Sequence, residues 1–175
     1  MFGKPRKVDT EQELYDIALQ ALMRRAYSVA EMKKYLAKRS DTELLTRVVM
    51  ARLRERGQLD DAQYAKAFVR QRTEIRKQGK FRIARDLRGR GIADPEIAAA
   101  LAETAEATDE GAMVRKRIAR KLKSFRGEVD EKKMASIYGS LLRAGFPSDL
   151  VRRELQRMTR EEVPEAEPGE GESEE

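Results

Sequence analysis

The sequence predicts an all-α protein, an elongated array of three tandem three-helix modules with a disordered acidic C-terminal tail. Apolar residues recur at three- and four-residue spacing, no stretch alternates with the period of two that a half-buried strand needs, and one helix-turn-helix segment occurs twice. Charged residues make up 39% of the 175 and the hydrophobic set 40%, so each helix can carry one apolar stripe and little more. The modules are expected at residues 11–57, 58–106 and 107–160, after a polar segment 1–10 and before a tail at 161–175.

In the first module Leu14, Ile17, Ala18, Ala21 and Leu22 mark one helix face beginning near Glu11. Ser28 with Glu31 has the spacing of a capping box, and Tyr27 before it can pack on Met32 as a hydrophobic staple, so a second helix starts there and runs to about Arg39. Ser40 with Glu43 repeats the box. Leu45, Val48, Val49 and Leu53 then supply the buried face of a third helix, which stops at Gly57.

The second module opens with Asp60 and Asp61, placed to cap a helix and complement its positive end, on a helix carrying Tyr64, Ala65, Phe68 and Ile75. Gly79 ends it, a short helix follows around Ile83 to Leu87, Gly91 closes that one, and Asp94 with Pro95 at the first helical position opens another with Ile97 and Leu101 inward. In the third module Val114, Ile118, Leu122 and Phe125 form a stripe that breaks near Gly127. Met134, Ile137, Tyr138, Leu141 and Leu142 repeat the helical signature, Gly145 terminates it, and Ser148 caps a last helix with Val151, Leu155 and Met158 inward.

The internal repeat aligns Leu87, Gly91, Ile92, Asp94, Ile97 and Leu101 with Leu141, Gly145, Phe146, Ser148, Val151 and Leu155, without gaps and 54 residues apart. Leu36 is the matching leucine of the first module, 51 residues before Leu87, but no glycine follows it. Units of this kind bury their faces by stacking on neighbours.

The chain has no cysteine and no histidine, which removes disulfides, thiolate nucleophiles, Cys/His zinc sites and imidazole-dependent triads. No cofactor is expected, and no enzyme activity. No run approaches the ~20 apolar residues of a membrane span, and the N-terminus lacks an apolar signal core, so a cytoplasmic protein with no membrane partner is expected. The net charge of +6 conceals a division: residues 161–175 hold eight Glu and no cation, leaving residues 1–160 with 37 positive and 23 negative charges, a net of +14. A body of that sign attracts polyanions.

The cations concentrate in two runs. One holds Arg70, Arg72, Arg76, Lys77, Lys80, Arg82, Arg85, Arg88 and Arg90 against Glu74 and Asp86 alone. The other holds Arg115, Lys116, Arg117, Arg120, Lys121, Lys123 and Arg126 with no acid. Solvated helix faces are the bland alternative; if the runs contact phosphates, log affinity falls with log salt by about 0.9 per phosphate neutralised. Two further motifs read as structural. Gly57-Gln58-Leu59-Asp60-Asp61 pairs two carboxylates that capping explains, and Gly79-Lys80 with Gly89 and Gly91 lacks both the spacing of a phosphate loop and a preceding strand. A base-reading helix-turn-helix at Gly91 or Gly145 is disfavoured, because the helices that follow begin Pro95-Glu96-Ile97-Ala98 and Asp149-Leu150.

Gly57 to Asp61 with Tyr64-Ala65, then Gly79 to Leu87 with Ile83, then Gly89-Arg90-Gly91-Ile92 and Leu141-Leu142-Arg143-Ala144-Gly145-Phe146 together resemble the RecX family of bacterial recombination regulators over about residues 11–158. The resemblance implies a modulator of the RecA recombinase in DNA repair and the SOS response, lying as a monomer in the groove of the RecA filament on single-stranded DNA and restraining filament growth, ATP hydrolysis and strand exchange. The missing glycine of the first module and the acidic tail depart from the family pattern. Outside that family, a sequence-independent DNA-binding protein and a structural helical adaptor are the other readings.

Overall fold

A computed structural model describes residues 7–125 and 129–161. Nine helices are formed among the described residues: α1 (Glu11–Arg24), α2 (Val29–Ala37), α3 (Glu43–Glu55), α4 (Asp61–Glu74), α5 (Lys80–Arg88), α6 (Asp94–Ala105), α7 (Glu110–Ser124), α8 (Glu131–Arg143) and α9 (Ser148–Glu161). The break expected near Gly127, Arg126 of the second cationic run, and the tail from residue 162 onward lie outside the described residues. The chain divides into two compact units, Met1–Thr108 and Asp109–Glu175.

The first unit holds two apolar clusters. In one, Leu14, Ala18 and Ala21 of α1 meet Met32 and Leu36 of α2 and Val49, Met50 and Leu53 of α3. Tyr27 is half-buried against this cluster, as a staple residue should be, and its ring lies 5.5 Å from that of Tyr35. In the other, Ala65, Phe68 and Val69 of α4 meet Ile83, Ala84 and Leu87 of α5 and Ile97 and Ala100 of α6. The second unit has its own cluster, in which Val114 and Ile118 of α7 pack with Ile137 and Leu141 of α8 and Val151 and Leu155 of α9 around Phe146. Each fully buried Leu or Ile removes enough apolar surface from water to contribute ~1.5–3 kcal/mol.

Three helix ends use one device. At Gly57, Gly91 and Gly145 the φ angle is +66°, +78° and +92°, a region that costs a side-chain-bearing residue but not glycine. In each case the glycine N–H donates to the carbonyl three residues back (Arg54, Arg88, Leu142) and the next N–H to the carbonyl five back (Leu53, Leu87, Leu141). That satisfies carbonyls a helix end leaves orphaned. The first module ends its second helix differently. Where Gly would follow Leu36, Ser40 forms a short parallel bridge with Val8: Val8 N–H donates to Arg39 O at 2.8 Å and Asp41 N–H to Val8 O at 3.0 Å. The N-terminal segment thus pairs with the backbone at the point where the other modules place glycine.

Several local expectations are corrected. Ser40 is buried and does not cap α3; Thr42 does, accepting from Leu45 N–H at 3.1 Å, while Ser40 Oγ donates to Thr42 O. Val48 is exposed, and Met50 takes the inward position. Ile75 is exposed and α4 stops beside it; the reversal is made by Lys77 at a φ of +52°, not by Gly79, which is instead the N-terminal cap residue of α5. Asp94 is the first residue of α6, with Ala93 as its cap, and Ser148 is the first residue of α9. Leu142 is exposed on α8. The Ser28–Glu31 capping box, the Asp60 cap on α4 and the Asp109 cap on α7 are formed.

Candidate functional site

The residues between Arg70 and Arg90 do not form one face. Arg70 lines an open groove between α4 and α6 with Gln63, Glu74 and Thr104, where Lys66 also pairs with Glu103 at 2.8 Å. Arg72 and Arg90 lie over the Phe68 ring at 4.7 and 5.1 Å, so both guanidinium groups are packed on an aromatic face. Arg76, Lys77, Lys80, Arg85 and Arg88 are exposed, along the α4–α5 connection and on α5, and Arg82 is half-buried. On α5 the buried residues Ile83, Ala84 and Leu87 set the inward face. Phe81, Arg85 and Arg88, at i, i+4 and i+7, therefore share the outward stripe. Arg88 Nε donates to Asp94 Oδ1 at 2.6 Å across the α5–α6 turn.

Arg90 belongs to a joint between the first two modules. Its Nη1 donates to Glu31 Oε1 at 2.6 Å, and its backbone carbonyl accepts from Ser28 Oγ at 2.6 Å. Glu31 is thereby shared between its own capping box and the neighbouring module. Asp61, expected to complement its own helix, accepts instead from Val29 N–H at 2.8 Å, the first amide of α2. Burial raises the Asp61 carboxyl above its ordinary 3.8, against that hydrogen bond, which lowers it. Tyr64 stacks near Phe68 at 6.2 Å, and burial beside Glu31 raises its hydroxyl. Close approach completes the joint: a Cβ on Gly91 would meet Ala30 Cβ at 2.5 Å. Leu59 packs into the first cluster, and Ala65, Ile83 and Leu87 into the second.

In the second unit, α7 carries the other cationic run. Lys116, Arg120, Lys121 and Lys123 are exposed, and Lys116, Arg120 and Lys123 fall at i, i+4 and i+7 opposite the Val114–Ile118 stripe. Arg115 and Arg117 are half-buried and face the fold. Arg115 donates to Glu154 Oε1 at 3.0 Å and to Asp109 Oδ2 at 3.4 Å, an arrangement that raises its already high pKa. Asp109 is held below the usual carboxylate range, chiefly by the hydrogen bond from Ala112 N–H. Glu154 is only 6% exposed, so Arg115 is its counter-charge rather than a spare cation. Arg117 lies 5.7 Å from the ring of buried Phe146, beside the Gly145 turn.

Sequence reasoning found the two runs but not their division into outward and inward cations. It missed Ser28, Glu31 and Asp61 as joint residues, which only three-dimensional contact reveals. It also passed over Phe81, whose place opposite the Ile83–Leu87 stripe could have been read from helical spacing. Among the described residues no group of three or more metal-ligating side chains occurs, and no helix is long and apolar enough to cross a membrane.

The profile described as "RecX, second three-helix domain" matches residues 60–101, the segment from the Asp60 cap through α6. The chain is 35% identical over 138 residues to the regulatory protein RecX of Halorhodospira halophila, covering 78% of this chain and 83% of that protein. It is 31% identical over 152 residues to the regulatory protein RecX of Lactobacillus delbrueckii subsp. bulgaricus, covering 86% of this chain and 54% of that one. The chain thus spans about half the length of the latter relative. Among solved structures, the crystal structure of RecX from Lactobacillus salivarius is similar in fold, with a TM-score of 0.75 at 21% identity, covering 86% of this chain and 97% of that one. With the matched segment, the shared helical fold and a relative of 35% identity covered over most of its length, the chain belongs to the RecX family of regulatory proteins.

Proposed function

We propose that this chain is a negative modulator of the RecA recombinase that binds in the groove of the RecA filament on single-stranded DNA and limits filament growth, ATP hydrolysis and strand exchange. The observation that carries the reading is the outward cationic surface on a member of the RecX family, with Arg85 on α5 in one unit and Lys116, Arg120 and Lys123 on α7 in the other. A groove that exposes DNA phosphates presents the charge such stripes attract. In this reading the chain acts as a cytoplasmic monomer without a cofactor. The test titrates the chain into RecA on single-stranded DNA while following DNA-dependent ATP hydrolysis and filament length. Both should fall, and less so as salt rises. No change in either at saturating chain overturns the reading.

A further inference from the structure

We infer that Phe81 is a stacking platform for an unpaired base of single-stranded nucleic acid, with Arg85 beside it to meet the phosphate. This rests on the proposed reading only in taking nucleic acid as part of the partner. Phe81 is 60% exposed although a phenylalanine gains ~1.5–3 kcal/mol from burial. The other described phenylalanines are committed to cores: Phe68 and Phe146 are buried and Phe125 is packed against its cluster. The register of α5 explains the exception, because Ile83, Ala84 and Leu87 face the core and leave Phe81 one turn from Arg85 on the outward stripe.

Its surroundings are cationic. Lys80 Nζ is 5.8 Å from the ring centroid, Lys77 is exposed in the preceding turn, and the first turn of α5 has no acid. An exposed ring with one ammonium over it and further cations nearby fits a nucleobase and its phosphate, and stacking contributes similarly for every base. Duplex DNA hides its base faces, so the ring favours a single strand. A membrane surface is disfavoured because the apolar side of this nine-residue helix is already used by the core, leaving one ring to insert.

The chain contains no tryptophan, so Phe81→Trp introduces a single fluorescent reporter at the site. In the full chain, F81W should bind an oligothymidylate about as well as the wild type, with its fluorescence quenched on saturation. A backbone-matched abasic oligonucleotide should bind more weakly and leave the fluorescence unquenched. F81A should weaken oligothymidylate binding about 5- to 140-fold, the equivalent of ~1–3 kcal/mol per stacked base at ~1.4 kcal/mol per decade. The salt slope should stay the same, since no charge is removed. Unchanged affinity in F81A, absence of quenching in F81W, or quenching by anionic vesicles but not by the oligonucleotide overturns the inference. If F81A keeps its oligonucleotide affinity but loses inhibition of RecA hydrolysis, the ring contacts protein: the inference fails and the proposed function stands. Stacking by a chain with no effect on RecA gives the reverse outcome.

Discussion

Gly57 and Gly91 share a left-handed backbone but differ in what a methyl group would meet. Around Gly57 nothing lies within 4 Å of a built Cβ, so Gly57→Ala should cost only the strain of a side chain at positive φ, about 1–2 kcal/mol. At Gly91 the methyl would lie 2.5 Å from Ala30 Cβ, a short side chain that cannot swing aside. Gly91→Ala should therefore cost about 2–5 kcal/mol, the added part coming from forcing α2 away from the α5–α6 turn. Urea unfolding of the two variants checks the order; equal losses would show that the close approach carries no energy. Asp61 is the second sensitive point. Asp61→Ala leaves the Val29 N–H without its acceptor and should cost about 1–3 kcal/mol, whereas Asp61→Asn keeps an acceptor oxygen. Because burial raises the folded-state pKa, the stabilising contribution of this group is full below 3.8 and is lost as pH rises through the raised value. Asp61→Asn should thus be at least as stable as the wild type at neutral pH, with the gap closing below pH 3.8, as thermal melts across pH would show. The role of Asp61 was not legible in the sequence: an aspartate at a helix start has a sufficient local explanation, and its partner lies 32 residues away.

Helices were legible where their ends are decided locally. Ser28 with Glu31, and Asp60, cap as their places in the sequence require, and the glycines at 57, 91 and 145 close turns that only a positive φ permits. The errors fell where two local signals competed or where a neighbouring segment intervened. Ser40 has capping spacing, but pairing with Val8 draws its backbone into a bridge and passes the cap to Thr42. Lys77, with no glycine-like signature, makes the turn assigned to Gly79. The cationic runs divide in the same way, since composition counts charges and packing decides which face outward. On α7, replacing Lys116, Arg120 and Lys123 by Gln should lower the slope of log affinity against log salt for single-stranded DNA by about 2, at ~0.7 for each phosphate no longer neutralised. Stability should stay within ~0.5 kcal/mol, as these side chains point outward. Arg115→Gln should do the opposite, lowering the unfolding midpoint of the second unit by stripping buried Glu154 of its counter-charge, with little change in that slope. A triple variant that melts early, or an Arg115 variant that melts normally, would reverse the assignment of these faces.

At the scale of the whole molecule, nine helices among the described residues, with three apolar clusters, follow from a repeated pattern of stripe, cap and glycine, which is why the all-α class could be read from the amino-acid order alone. The joint of the first two modules could not be read that way, because Ser28, Glu31, Asp61 and Arg90 come from distant stretches whose meeting depends on how the start of α2 meets the start of α4 and the α5–α6 turn. Charge, by contrast, adds over the chain irrespective of packing. Residues 1–160 carry a net of +14 and the eight glutamates that follow reduce it to +6. If the tail's charge reaches the body, a polyanion approaching the body should compete with it. Ending the chain after Arg160 should tighten binding to single-stranded DNA and to RecA filaments at low salt, where the Debye length is ~30 Å near 0.01 M and tail and body charges act on each other without contact. By ~1 M salt, with a Debye length of ~3 Å, the full and shortened chains should bind alike. The affinity ratio of the two chains, measured across that range by fluorescence anisotropy, isolates the tail's effect from any change in fold common to all salts. A ratio of one at the lowest salt refutes the competition, and a ratio that differs from one but is independent of salt means that shortening the chain acts otherwise than through the tail's charge.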